Sequence, residues 1–90
     1  MLNVVYSTQF KKDYKLCQKR GYDMQKIIAI MLDLENEVEL PPKNNNHKLI
    51  GNYKGYLECH IESDWLLIYK INLESEKIYF NRTGTHSDLF

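Results

Sequence analysis

Residues 56–71 carry the pattern that most restricts how this chain can fold. From Tyr56 to Ile61 the sequence alternates, with Leu57, Cys59 and Ile61 on one side and Tyr56, Glu58 and His60 on the other, the period of a strand with one buried face. Glu62, Ser63 and Asp64 break the alternation, and Trp65 to Ile71 resumes as an apolar, aromatic run. The segment predicts a β-hairpin with a tight turn. A chain of 90 residues supplies one domain, 1–90, with one modest core, so everything before the hairpin reads as the scaffold that holds it. His60 falls on the polar face, and the turn is expected to bring Asp64 close to it.

The scaffold opens with Leu2 to Tyr6, short and β-branched, as suits a strand. Ser7 can cap the helix that follows, in which Phe10, Tyr14 and Cys17 recur at helical spacing while Lys11, Lys12, Lys15 and Lys19 fall mostly off that line. Gly21 ends it as a left-handed residue would. Asp23 caps a second helix whose Met24, Ile27, Ile28, Met31 and Leu32 follow the i, i+3, i+4, i+7, i+8 template. The short connection predicts an antiparallel pair. Pro41 and Pro42 are expected to stop that helical region, with Lys43 to His47 as polar loop. After the hairpin come a polar turn, Asn72 to Glu76, and a last strand, Lys77 to Thr83, with Arg82 near its end. The order β-α-α-β-β-β predicts an α+β fold, a mainly antiparallel four-stranded sheet with a helical hairpin on one face.

Formal charge sums to zero, which argues against a free-standing nucleic-acid binder carrying a broad basic excess. The charge is segregated, however. Cations concentrate in Met1 to Leu32, and Asp33, Glu35, Glu37 and Glu39 stand together without one. Cys17 and Cys59 lack metal spacing and are too few for a disulfide framework, so both read as buried thiols. With no basic leader and no apolar run near the ~20 residues that span a bilayer, the expectation is a cytoplasmic protein without a membrane partner.

The candidate chemistry lies in His60, Asp64, Arg82 and His86. Cleaving RNA through its own 2′-hydroxyl needs a base for that proton, an acid for the 5′-oxygen and a cation for the charge building on phosphorus. Histidines supply the first two near neutral pH, and an arginine fork fits phosphate oxygens. Helical His-x-x-x-His and Cys-x-x-Cys spacings are absent, so neither metal nor cofactor is expected. By spacing alone each residue also has an ordinary reading. His60 can be a surface residue, Asp64 a turn former and Trp65 core packing. His47 sits in an Asn-rich loop, Thr85 to Asp88 can be a capping box, and Lys11 to Lys19 a solvated helix face.

From His47 onward the chain resembles the YafQ-like branch of the RelE/ParE superfamily, small toxins of bacterial toxin-antitoxin pairs. The residues that carry the resemblance are His47, Leu49, Gly51, Lys54-Gly55-Tyr56, Cys59-His60, Asp64-Trp65, Leu67-Ile68-Tyr69-Lys70, Arg82-Thr83-Gly84-Thr85-His86 and Leu89-Phe90. The resemblance implies a RelE-like fold and an endoribonuclease that cuts messenger RNA, commonly on the ribosome, silenced by a cognate antitoxin protein. Under it His47, His60, Asp64 and His86 match acid-base positions, with His86 as the general acid and His60 and Asp64 sharing activation of the 2′-hydroxyl. Arg82 matches the phosphate-binding arginine, and Trp65, Phe90 and Lys54 the substrate side. The lysines at 11, 12, 15 and 19 are expected to receive the antitoxin. Three positions depart from the pattern. Leu57 stands where many relatives carry Arg, Ser63 replaces the usual Pro, and Tyr53 a frequent Trp. Other readings are a ParE-like toxin that poisons gyrase by binding, a non-catalytic interaction module, and a metal hydrolase using the three histidines.

Overall fold

A computed structural model describes residues Met1–Phe90. Strand β1 (Asn3–Tyr6) leads into helices α1 (Thr8–Lys19) and α2 (Met24–Glu35), followed by β2 (His47–Lys48), β3 (Leu57–Glu62), β4 (Trp65–Asn72), β5 (Lys77–Gly84) and a final helical turn, α3 (His86–Leu89). The sheet runs β1-β5-β4-β3-β2, with β1 parallel to β5 and every other pair antiparallel. The four expected strands are present. The fifth, β2, forms where the sequence reads as loop, because His47 and Lys48 pair with Glu58 and Leu57 along an open sheet edge. Partners distant in sequence, not local propensity, make that strand.

Local chemistry sets the helix ends. Ser7 Oγ accepts from Phe10 N at 2.9 Å and Asp23 Oδ1 from Gln25 N at 3.2 Å, each satisfying an orphan donor of a first turn. Helix α1 closes on Gly21 at φ 78°, where Tyr22 N reaches Cys17 O and Gly21 N reaches Gln18 O, the double bond of a Schellman motif. Helix α2 stops the same way, with Val38 N on Asp33 O, Glu37 N on Leu34 O, and Glu37 at φ 58°. The prolines therefore do not end α2. The chain has already left the helix, and Pro42 instead opens a 3-10 turn at Pro42–Asn44.

The apolar stripe of α2 also differs from the template. Ile27, Ile30 and Leu34 are buried, whereas Ile28 and Leu32 are 37% and 51% exposed. The helix is apolar nearly all round, so periodicity alone does not select the face that packs. Ile28, Met31 and Leu32 instead look across an open groove of about 500 Å³ at Phe10, Lys11, Tyr14 and Lys15 of α1.

Five consecutive residues, Trp65 to Tyr69, are buried. Strand β4 is central and covered on both faces, which is why its sequence does not alternate. Trp65, Leu67 and Tyr69 join the main core with Phe10, Cys17, Ile27, Cys59 and Phe80, while Leu66 and Ile68 pack under Leu89 on the opposite face. Both cysteines are buried free thiols, and burial pushes Cys59 up to about 12. The edge of β5 is only half paired, since β1 stops at Phe80. Beyond that point helix α1 and its cap take over, with Ser7 Oγ donating to Asn81 O at 2.7 Å and Thr83 N donating to Asp13 Oδ2 at 3.2 Å. A buried carboxylate thus completes the ladder that a longer strand would otherwise satisfy.

The last turn is fixed by charge. Thr85 Oγ1 accepts from Asp88 N and Asp88 Oδ2 accepts from Thr85 N, a closed capping box, and Arg20 donates to both Asp88 oxygens at 2.6 and 3.0 Å. The guanidinium, then the backbone N–H, hold Asp88 well below its ordinary value of 3.8. A depressed carboxylate supplies stability that is complete above its unfolded value and is lost as pH falls from there through its folded value. Asp88→Asn should therefore be less stable than the wild type at neutral pH, with the gap closing as pH drops below about 4. Thermal melts followed across that range check this, and a gap that does not change with pH would show that the contact is not ionic.

Candidate active site

Sheet register sets the histidine rows on the sheet face opposite the main core, and the cleft at their end reaches α2. His47 pairs with Glu58, Glu58 with Ile68 and Ile68 with Arg82, one row across four strands. The next row is His60, Leu66 and Gly84. Leu89 of α3 packs over Leu66 and Ile68, so α3 lies across the sheet and sets its first residue, His86, near His60. The rings of His47 and His60 are 6.3 Å apart and those of His60 and His86 5.8 Å. Gly84 permits the close approach of the capping carboxylate. Its φ is 156°, and a Cβ there would sit 2.8 Å from Asp88 Oδ2.

Asp64 serves His86, not His60 as the turn suggests. Its Oδ1 accepts from His86 N at 2.9 Å and contacts His86 Nδ1 at 2.6 Å. The backbone bond, then the imidazole, lower the Asp64 carboxyl. With Nδ1–H donating to the Asp64 carboxylate, Nε2 of His86 is the nitrogen left for other chemistry. The register of β3 against β4 shifts between His60 and Glu62, and this irregularity re-aims the turn so that Asp64 meets the end of β5. His60 and Asp64 still border one cleft of about 1000 Å³, together with Lys26, Lys43 and Thr85.

Two carboxylates that sequence reasoning passed over organise the remaining groups. Glu58, 5% exposed, sets Oε1 at 3.4 Å from His47 Nε2 and 3.6 Å from His60 Nε2. The signal for it was its i−2 relation to His60 on one strand face. Asp13, also buried, accepts from Arg82 Nε at 2.7 Å and Nη2 at 3.3 Å, which raises the arginine further. One edge of the guanidinium is anchored by Asp13, and the Tyr53 hydroxyl stands beside the group. The only hint for Asp13 was its place three residues after Phe10, on the apolar side of α1.

The substrate-side expectations divide. Trp65 is 2% exposed, stacked edge-on against Tyr22 at 4.8 Å with Nε1 donating to Thr83 Oγ1 at 3.0 Å. It is a core residue, because the first position of the central strand points toward the helices. Phe90 is 62% exposed, its ring 5.5 Å from Tyr53. Lys54 is exposed beside Tyr53 on the 51–54 turn. Lys11, Lys12, Lys15 and Lys19 are exposed on α1, away from the histidines. Of the departures from the family pattern, Leu57 packs against the main core and so lies off the histidine face, and Ser63 still delivers Asp64 to His86.

The sequence and the fold have known counterparts. Residues 2–90 match the family described as the bacterial toxin of type II toxin-antitoxin system, YafQ. The chain is 46% identical over 89 residues to the mRNA interferase toxin YafQ of Escherichia coli strain K12, covering 98% of this chain and 95% of that protein. It is similar to the crystal structure of YafQ from E. coli strain BL21(DE3), with TM-score 0.93 and 43% identity over 100% of this chain and 99% of that one. It is similar also to the E. coli DinJ-YafQ complex, with TM-score 0.90 and 44% identity over the same shares.

Proposed function

The chain belongs to the YafQ family of bacterial type II toxin-antitoxin toxins, and from that premise we propose that it is an mRNA interferase that cleaves messenger RNA through RNA's own 2′-hydroxyl. The observation that carries the mechanism is the Asp64–His86 pair. A carboxylate on Nδ1 orients the imidazole and stabilises its cationic form, leaving Nε2–H to protonate the departing 5′-oxygen. His60, one ring away, takes the proton from the 2′-hydroxyl. The 2′-oxygen bonds to phosphorus, the bond to the 5′-oxygen breaks, and the products are a 2′,3′-cyclic phosphate and a 5′-hydroxyl. Arg82, anchored by Asp13, faces the charge that gathers on phosphorus. Each proton and charge in this step has a partner among these side chains, so the reaction as written calls for no metal. His47 orients its neighbour, Phe90 stacks on a base, and Lys54 meets the backbone.

Two partners follow from the charge distribution. A chain with zero net charge grips free RNA weakly, so translating ribosomes present the substrate. The antitoxin covers α1. Lys11 and Lys15 rim the apolar groove that Ile28 and Leu32 leave open, a surface matched to an amphipathic, acidic segment that orders on binding.

His86→Ala should fold normally, since its side chain is exposed beside the chain end, and should lose about 10²–10⁴ of the cleavage rate. Arg82→Lys should stay impaired despite keeping the charge, because a point charge does not reproduce the fork that binds Asp13 and phosphate together. Undiminished cleavage of a translated message by either variant contradicts the assignment. Reversing Lys11, Lys12 and Lys15 to Glu should slow antitoxin association in stopped-flow mixing and reduce its salt dependence. Unchanged association moves the antitoxin off this helix.

A further inference from the structure

Glu58 belongs to the same face as the histidines yet has no place in the acid-base scheme above. It is a carboxylate in the interior, and an unpaired buried charge is costly. The only groups able to offset it at ion-pair distance are His47 and His60, and both turn Nε2 toward the same oxygen, Oε1. The register explains the convergence. His47 is the direct cross-strand partner of Glu58 on β2, and His60 is two residues further along β3, so all three side chains share one face. The other neighbours do not compete. Across β4 stands Ile68, beyond it Arg82 is committed to Asp13, and His86 is committed to Asp64.

We propose that Glu58 is the positioning residue for the base side of the site, holding His60 by Nε2 so that its Nδ1 is the nitrogen offered to the 2′-hydroxyl. A nitrogen facing a carboxylate carries the proton, so the contact selects the Nε2–H tautomer and leaves the Nδ1 lone pair free. The separations of 3.4 and 3.6 Å are ion-pair distances, longer than formed hydrogen bonds. The carboxylate therefore acts on the rings through its charge, and contacts of this kind are often long before substrate binds. His47 differs from His60 in being tied at both ends. Its Nδ1 lies 2.7 Å from Asn45 O while its Nε2 faces Glu58, so this ring fixes β2 against the carboxylate and His60 keeps the open nitrogen. Asn44, whose side chain donates to His60 O at 2.8 Å, holds the strand in that position from the other side. The site then has two matching halves, a carboxylate on Nδ1 of the acid and a carboxylate on Nε2 of the base.

The inference rests on the nuclease reading for its consequence but not for its geometry, and the experiment separates the two. Side-chain ¹⁵N spectra of the wild-type chain above neutral pH should show His60 as the Nε2–H tautomer. Glu58→Gln keeps the shape and removes the charge, and it should convert that signal to a tautomer mixture. The same variant should cleave a translated message with kcat lowered about tenfold or more and KM unchanged, since orientation of a base acts in the transition state. A His60 proton resting on Nδ1 in the wild type overturns the proposal whatever the activity, as does a Glu58→Gln enzyme with wild-type kcat. Should the wild type fail to cleave, the nuclease reading falls, and the spectra still decide whether Glu58 sets the tautomer.

Discussion

Helix α1 grips the end of β5 and the turn beyond it through two ion pairs of opposite polarity, Asp13 with Arg82 and Arg20 with Asp88. The first is largely buried. It stands where β1 has ended and β5 would otherwise leave Thr83 N without a partner. Breaking such a pair leaves a charge stranded in the interior, at a cost on the order of 3 kcal/mol. The second pair is on the surface and works through geometry, fixing a carboxylate that caps α3 and meets Gly84 at close range. Together they decide where the chain end lies on the sheet. Leu89 can then seat on Leu66 and Ile68, and His86 arrives beside Asp64.

The groups proposed for catalysis consequently come from two structural sources held to different tolerances. His47, Glu58 and His60 stand on neighbouring strands, where the ladder fixes their spacing. His86 stands on a four-residue turn, where several contacts in series fix it. A site that must place an acid and a base on opposite sides of one phosphate gains from this division, because the gap between the halves is set by docking α3 on the sheet and not by either element alone. Asp13 and Asp64 use the same device. Each satisfies a backbone N–H, of Thr83 or of His86, and with the same carboxylate orients a functional side chain.

Local rules made much of this readable in sequence. Ser7, Gly21 and Asp23 act within one helical turn of themselves, and they cap and close the helices as their chemistry requires. The hairpin at 57–72 follows from alternation and a turn, and the order of elements from there. What the sequence did not disclose depends on partners remote in the chain. A two-residue strand at His47 exists because β3 offers an edge. Asp13 reads as one more charge on a basic helix until β5 is seen to lack a neighbour. Trp65 looks available to a substrate until its strand proves central, and Ile28 looks buried until α1 and α2 are seen to part around a groove. The turn after β3 pointed Asp64 toward His60, and the shift in register there handed it to His86. Residue chemistry pointed to His60, His86 and Arg82 and the resemblance of the second half added His47, while Glu58 and Asp13, which face them, emerged only in three dimensions.

The central claim is that one imidazole takes a proton and another gives one while the RNA's own 2′-oxygen displaces the 5′-oxygen from phosphorus. The ends left on the RNA report this directly. A translated message is cut by the chain, and the upstream fragment is analysed for its terminal phosphate and the downstream fragment for its terminal hydroxyl. The account predicts a 2′,3′-cyclic phosphate, or the monophosphate from its opening, upstream and a 5′-hydroxyl downstream. A 3′-hydroxyl upstream with a 5′-phosphate downstream would mean that water, not the 2′-oxygen, attacked phosphorus, and would contradict it.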